Sequence, residues 1–205
     1  GEMAILAQGA NVPIEIGPYG ALLFRARRAG TPRRLAGAAS AGLSMRPSAL
    51  PAATKVNVAG GQHVRSELSG NDAAGWTGKA QLTQGQVDTH QFVSFNYDPP
   101  LDLAESVGLA IDTSTPEGQK TPAELLVFIQ TQSGGRYLAG TGRYLNAPGL
   151  SRAYVVFSQF RPFGETAAPL DLSKVAAIRI GWGGYFGSEG ERITVTIMPP
   201  KRFSL

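Results

Sequence analysis

The stretch Ile193-Thr194-Val195-Thr196-Ile197 alternates strictly between apolar and polar residues near the end of the chain. Successive side chains of a β-strand point to opposite faces, so Ile193, Val195 and Ile197 share one side and the two threonines share the other. This pattern predicts a β-strand with its apolar face on a core.

Seven further segments upstream carry strand patterns. Leu125–Gln130 is a nearly continuous apolar run, which predicts a strand buried on both faces. The chain also holds 26 glycines and 14 prolines, which favour turns over long helices. Many short strands at this spacing predict an all-β sandwich or barrel. The other predicted strands are Lys55–Val58, His63–Leu68, Phe92–Tyr97, Val107–Ile111, Tyr154–Phe157 and Ala177–Ile180.

One short motif occurs twice. Pro100-Leu101-Asp102-Leu103 and Pro169-Leu170-Asp171-Leu172 each precede a predicted strand at a similar distance. In both copies the aspartate can cap a short helical turn by accepting hydrogen bonds from backbone N–H groups. The same strand entry used twice favours a jelly roll, whose two halves are related Greek keys.

Three zones follow from the composition. Residues 1–28 read as a β-hairpin around the turn Gly17-Pro18-Tyr19-Gly20. Residues 29–53 are rich in Ala, Gly, Pro, Ser and Arg, which is typical of a linker. Residues 54–205 hold the predicted sandwich.

The charge and hydropathy of the chain indicate which classes of partner to expect. The net charge is +4, but much of the excess lies in Arg25, Arg27, Arg28, Arg33 and Arg34. Because no basic stripe runs through the rest of the chain, we expect no nucleic-acid partner. No apolar run is long enough to span a bilayer, so we expect no membrane partner either. The chain has no cysteine, which excludes disulfides and thiolate metal sites.

The segment from Pro169 to Ile197 resembles galactose-binding-like jelly rolls. It contains Asp171-Leu172-Ser173-Lys174-Val175, the apolar strand Ile178–Ile180, the Gly-rich aromatic stretch Gly181–Gly187 and the alternating last strand. Carbohydrate-binding modules attached to bacterial glycoside hydrolases often look like this. The resemblance covers about the last three quarters of the chain, and it implies a fold more strongly than a ligand.

A second resemblance lies near the start. Glu15–Gly20 followed by Leu22-Leu23-Phe24 is similar to the closing strands of the small β-domain that follows many glycoside hydrolase barrels. It implies an attached or adjacent glycoside hydrolase domain and a secreted or periplasmic location. The barrel with its catalytic carboxylates is not in this sequence.

Sugar binding in such modules uses aromatic rings for stacking and planar polar groups for the hydroxyls. The candidate binding residues are therefore Trp76, Arg136, Tyr137, Arg143, Tyr144, Trp182, Tyr185 and Phe186. For Trp182, Tyr185 and Phe186 the alternative is a hairpin whose aromatics plug the end of the sandwich. The two Gly-Arg-Tyr units at 135–137 and 142–144 could grip a sugar chain or a uronate carboxylate, or could be ordinary strand positions. Trp76 lies in a polar stretch and could equally be a platform or a plug.

Catalytic and metal signals are weak. Glycoside hydrolysis needs two carboxyl groups across a cleft, and no motif selects a pair among the 15 acidic residues. We expect no cofactor, although modules of this type often hold a structural calcium ion, to which Glu67, Asp88 or Asp112 could contribute.

Three functional hypotheses remain. The first is a non-catalytic carbohydrate-binding module that targets an attached glycoside hydrolase to a polysaccharide or oligosaccharide. The second is a structural accessory sandwich that stabilises the catalytic domain without binding sugar. The third is an enzyme such as a polysaccharide lyase, in which Arg143 and Tyr144 would have to act.

Overall fold

A computed structural model of the protein describes residues 46–166 and 168–204. These residues form thirteen β-strands and two short 3₁₀ turns. The strands are β1 (Arg46–Ala49), β2 (Lys55–Gly60), β3 (Val64–Asn71), β4 (Gly75–Leu82), β5 (Asp88–Leu101), β6 (Gly108–Thr115), β7 (Glu124–Thr131), β8 (Arg136–Tyr144), β9 (Gly149–Val156), β10 (Arg161–Pro162), β11 (Val175–Tyr185), β12 (Arg192–Ile197) and β13 (Lys201–Ser204). No helix within these residues has the length and apolar character needed to cross a membrane.

The strands form two antiparallel sheets. The six-stranded sheet has the order β10-β8-β7-β11-β5-β2. The seven-stranded sheet runs β1-β13-β6-β12-β4-β3, and β9 pairs with the remaining edge of β6. Most neighbours within each sheet are distant in sequence, so the chain crosses repeatedly between the two layers. This confirms the predicted all-β sandwich.

The core lies between the two sheets and is made by alternate residues of their strands. Val93 and Phe95 of β5 and Ile178 and Ile180 of β11 enter it from the six-stranded sheet, and all are buried. The alternating stretch Ile193–Ile197 enters it from the other sheet with its three apolar residues fully buried. Burial of this kind stabilises a protein by about 1.5–3 kcal/mol for each large apolar side chain.

The two repeated motifs lie side by side. The Asp171 carboxylate accepts hydrogen bonds at Oδ1 from the backbone N–H of Ser173 (3.0 Å), which caps the 3₁₀ turn Leu172–Lys174. Asp102 accepts in the same way from the N–H of Ala104 at 3.0 Å. The N–H of Leu103 donates to the carbonyl of Leu172 at 2.8 Å, so the two turns are bonded to each other. The predicted capping role of both aspartates is confirmed.

Each of the eight predicted strands overlaps an observed one, but some boundaries differ. The stretch 181–187, expected to be a loop, continues β11 as far as Tyr185. β7 is buried on one face only, because its outward residues Leu126 and Phe128 remain half-exposed. β1 falls inside the predicted linker 29–53, and its residues pair with β13. The predicted hairpin 1–28 and residues 29–45 lie outside the described residues.

Candidate functional site

The outer face of the six-stranded sheet is organised by rows of cross-strand partners, which share a face of the sheet. One row is polar and runs Lys55, Asn96, Ala177, Gln130, Arg136 from β2 to β8. The next row runs Asn57, Ser94, Arg179, Phe128, Leu138. The third is mainly apolar and runs Ala59, Phe92, Gly181, Leu126, Gly140. Polar and apolar side chains therefore lie in adjacent bands across the same surface.

Aromatic rings from β5, β7 and the residue after β10 form a continuous cluster on this face. Phe92 and Phe128 meet edge to face with ring centroids 5.1 Å apart. Phe163, which follows β10, meets Phe128 in the same way at 4.9 Å. His90 extends the cluster along β5, with its ring centroid 6.3 Å from that of Phe92. None of these four rings is fully buried, so the cluster faces outward.

An open groove of about 440 Å³ lies over this cluster. Its apolar lining comes from Phe92, Leu126, Phe128, Leu138 and Phe163. Its polar lining comes from Asp88, His90, Gln130, Arg136 and Arg179, and Gly183 and Gly184 complete it. A groove with an aromatic floor and a few polar groups at its sides has the usual composition of a small-molecule or glycan site.

Two arginines stand at one end of the groove. Nη2 of Arg179 donates to Oε1 of Gln130 at 2.5 Å, across β11 and β7. The Arg136 guanidinium lies over the Phe163 ring, 5.6 Å from its centroid, in a cation–π contact. Burial, and then the positive charge of Arg136, lower the pKa of the Arg179 guanidinium. Arginine stays charged under any ordinary condition, so both groups bring positive charge to this end.

The opposite end of the groove carries Asp88 and His90. Nδ1 of His90 lies 3.9 Å from Oδ1 of Asp88, and both side chains are substantially exposed. Tyr185 is the cross-strand partner of Asp88 and is 76% exposed, so its ring lies at the margin of this end. This end therefore offers one carboxylate, one imidazole and one phenol to solvent.

Gly181 lies on β11 between Phe92 of β5 and Leu126 of β7. A Cβ placed there would overlap the backbone of Gln91 in β5. β5 and β11 therefore approach closely at this point, and the missing side chain lets rings from β5 and β7 meet above β11.

Trp182 and Tyr137, two of the predicted binding residues, belong to the interior. Trp182 is 0% exposed and Tyr137 is 2% exposed, so neither ring can stack on a ligand in this structure. The physical reason is strand alternation: both residues point inward from β11 and β8. The Tyr137 hydroxyl donates to the carbonyls of Ala168 and Pro169, each at 2.8 Å.

Trp76 and Phe186 lie at the ends of the sandwich and pack against its core. The Trp76 ring nitrogen Nε1 donates to Oδ1 of Asp72 at 2.8 Å, which ties the ring to its own hairpin. Phe186 packs on Trp182 with ring centroids 5.5 Å apart. Both positions match the plug alternative rather than the platform.

The remaining four predicted residues are accessible, and two of them lie in the groove or at its margin. Tyr144 is 48% exposed at the end of β8, and the neighbouring Arg143 is partly exposed; neither lines the groove. Arg136 lines the groove directly, and Tyr185 stands at its margin. The structure thus brings one predicted residue into the groove, places one beside it and leaves the others elsewhere.

Sequence reasoning missed most of the groove, namely His90, Phe92, Phe128, Phe163 and Arg179. The sequence did contain one indication of this groove. Apolar residues occupy both faces of β7, and we expected those on its outer face to be buried by other parts of the protein. An apolar outer face on a central strand is equally the sign of an exposed binding surface.

Asp112, one of the three positions considered for calcium, is bonded to basic side chains. Asp112 accepts from Nε and Nη2 of Arg152 at 2.5 and 2.7 Å and from Nζ of Lys201 at 3.2 Å. Within residues 46–166 and 168–204, no three His, Cys, Asp or Glu side chains are grouped closely enough to hold a metal ion.

Comparison with known proteins finds matches among solved structures only. No protein-family model matches the chain, and no curated protein matches it. In structure it is similar to the family 11 carbohydrate-binding module of the cellulosomal cellulase Lic26A-Cel5E of Clostridium thermocellum, with a TM-score of 0.53 and 12% identity over 79% of this chain and 96% of that one. A second similar structure is a family 11 module from Clostridium thermocellum in complex with a β-1,3-1,4-mixed-linked tetrasaccharide, with a TM-score of 0.52 and 12% identity over 78% of this chain and 94% of that one. The described residues therefore form a jelly-roll β-sandwich of the type found in carbohydrate-binding modules.

Proposed function

We propose that the groove on the outer face of the six-stranded sheet binds a polysaccharide or oligosaccharide and that the module is not itself catalytic. The observation that carries this proposal is the outward cluster of Phe92, Phe128 and Phe163 beneath an open groove bordered by guanidinium and amide groups.

The chemistry of the groove suits a sugar. The C–H faces of a pyranose ring are apolar and gain by covering aromatic surface, while its hydroxyls need hydrogen-bond partners when water is displaced. Gln130, Arg136 and Arg179 supply such partners on one side of the aromatic cluster. Because the groove is open and much of a bound sugar would stay hydrated, we expect weak affinity per site.

Hydrolysis has less support than binding. Glycoside hydrolases commonly place two carboxyl groups on either side of the scissile bond. Among the described residues that line the groove, Asp88 is the sole carboxylate. We therefore assign the groove a binding role.

Targeting of an attached glycoside hydrolase is the second part of the proposal. The similar module from Clostridium thermocellum is part of a cellulase, which supports the same arrangement here. Tethering an enzyme to its polymer raises its effective concentration without new chemistry. Such a role would place the protein outside the cytoplasm, in a secreted or periplasmic setting.

Isothermal titration of the full chain tests the proposal, with soluble xylan, mixed-linked glucan, galactan, alginate and pectin as probes. The variant Phe128→Ala should lose roughly tenfold or more in affinity for any polymer that binds, because aromatic contacts of this kind contribute about 1.5 kcal/mol or more. Leu150→Ala is the matched control, since Leu150 is an exposed apolar residue on the other sheet. Absence of heat with every polymer, or equal affinity in the Phe128 variant, would overturn the assignment.

A further inference from the structure

The Arg136 and Arg179 end of the groove carries more positive charge than a site for a neutral glycan requires. We infer that the groove selects an acidic glycan and that the carboxylate or sulfate ester of one sugar residue sits between these two guanidiniums. This inference rests on the proposed function and specifies the class of glycan.

Neither guanidinium has an acidic partner among the residues that the structure describes. In the part of the chain that the structure describes, no carboxylate lies within 4 Å of Arg136 or Arg179. The Nε atom of Arg179 is buried and has no hydrogen-bond partner, although its Nη2 atom is bonded to Gln130. A partly buried guanidinium that lines an open groove and has no carboxylate beside it is well suited to receive an oxyanion from the ligand.

The two cations also act on each other. Arg136 and Arg179 line the same end of the groove, where their like charges repel, and this repulsion is the second cause, after burial, of the lowered pKa of the Arg179 guanidinium. An anion placed between them would be attracted by both and would reduce their repulsion. Because a guanidinium presents parallel N–H groups, it matches the planar carboxylate and the sulfate ester in geometry.

Two acidic groups of the same face, Asp88 and Glu124, are engaged or placed away from these arginines. Asp88 is level with Tyr185, six residues along β11 from Arg179, which is a separation of about 20 Å at ~3.3 Å per residue. Oε1 of Glu124 accepts the N–H of Gly142 at 2.8 Å, so that carboxylate is engaged by the β7–β8 pair. The groove is therefore positive at one end and negative at the other, which would orient an acidic sugar chain.

A glycan fits this pattern better than a single-stranded nucleic acid. A nucleic-acid groove follows a phosphate backbone with a series of cations. Within the groove lining that the structure describes, two arginines stand together at one end and Asp88 stands at the other. One anionic sugar substituent beside an aromatic floor accounts for the arrangement.

Matched polymer pairs test the inference in titrations of the full chain. Polygalacturonate is compared with its carboxyl-reduced form, and a sulfated galactan with its desulfated form, so that the two pairs separate a carboxylate from a sulfate ester. A thymidine oligonucleotide serves as the nucleic-acid probe. The variants are Arg136→Gln and Arg179→Gln, with Arg65→Gln as the control because Arg65 is an exposed arginine on the other sheet.

We expect at least one acidic polymer to bind about tenfold or more tightly than its neutral form, since a charge-assisted hydrogen bond contributes about 1.5–3 kcal/mol. Both groove variants should lose that preference and Arg65→Gln should keep it. Arg136 is exposed, so Arg136→Gln gives the result even if Arg179→Gln fails to fold.

Other outcomes overturn the inference in distinguishable ways. Equal binding of the acidic and neutral forms, abolished by Phe128→Ala, would refute acid selectivity and leave sugar binding intact. Absence of binding to every polymer would refute the proposed function itself. Tighter binding of the oligonucleotide than of any glycan would refute the choice of a glycan.

Discussion

The rings of Phe92 and Phe128 meet at 76° with centroids 5.1 Å apart, although they come from strands that are not neighbours in the sheet. β11 lies between β5 and β7, and it places Gly181 opposite both Phe92 and Leu126. Strands two apart are separated by about 9.6 Å, so large side chains must lean over the strand between them to touch. The two rings therefore meet over β11, beside a position that has no side chain.

We expect the Phe92–Phe128 contact to stabilise the fold by roughly 0.5–1.5 kcal/mol beyond the area that it buries. A double-mutant cycle of Phe92→Ala and Phe128→Ala, followed by urea unfolding, measures this coupling. If the two single losses of unfolding free energy simply add, the edge-to-face contact contributes nothing of its own.

Gly181→Ala should destabilise the sandwich, because the added methyl group would overlap the Gln91 backbone and push β5 away from β11. The expected cost is about 1–3 kcal/mol of unfolding free energy, the usual range for an overpacked site. Gly183→Ala is the matched control on the same strand, because its methyl group would meet the His90 side chain at 3.1 Å rather than backbone. Comparable losses in both variants would show that close strand approach is not the cause.

Trp182→Ala should cost about 3–5 kcal/mol, since it removes one of the largest fully buried side chains and leaves a cavity in the core. Tyr185→Ala, three positions further along the same strand, should change stability by no more than about 0.5 kcal/mol because its ring is exposed. Thermal or denaturant unfolding of the two variants gives the comparison. A small loss for Trp182→Ala would mean that this ring does not occupy the core.

Stability should depend on the ionisation of Asp112. Hydrogen bonding from Arg152, opposed by burial and aided by Lys201, holds the pKa of Asp112 below its usual value of 3.8. The unfolded chain therefore takes up a proton at higher pH than the folded chain does, so this contribution to stability is present above about pH 4 and is lost as the pH falls through the lower folded pKa. Unfolding free energy measured between pH 6 and pH 2 should fall less steeply for Asp112→Asn than for the unaltered protein. Parallel profiles would contradict the assignment to Asp112.

The all-β sandwich could be predicted because many of its strands show a strand pattern of apolar and polar residues within their own short stretch of sequence. The alternation of apolar and polar residues is enough to place Val93, Phe95 and the apolar residues of 193–197 in the core, where the structure has them. β4 escaped notice because Gly75 and Gly78 interrupt it, and we interpreted the residues around Trp76 as a polar loop. For β8, which contains Gly140 and Gly142, strand positions were one of two alternatives, and the structure has the strand.

The candidate binding face could not be predicted because it is assembled across strands. Arg179 meets Gln130 only through the pairing of β11 with β7, and Phe163 reaches Phe128 from beyond β10. A sequence shows which residues alternate within one strand, but it does not show which strands are neighbours. Aromatic residues close together in sequence, such as Trp182 and Phe186, were favoured for that reason, and they fill the end of the core instead.

β1 and β13 lie side by side, with Arg46 opposite Ser204, on the sheet that faces away from the groove. The two ends of the described fold thus leave together from the back of the molecule. The sandwich could be grafted as one block into a surface loop of a host protein, or attached to a sensor chip from that side, with the aromatic face still open to a long polymer.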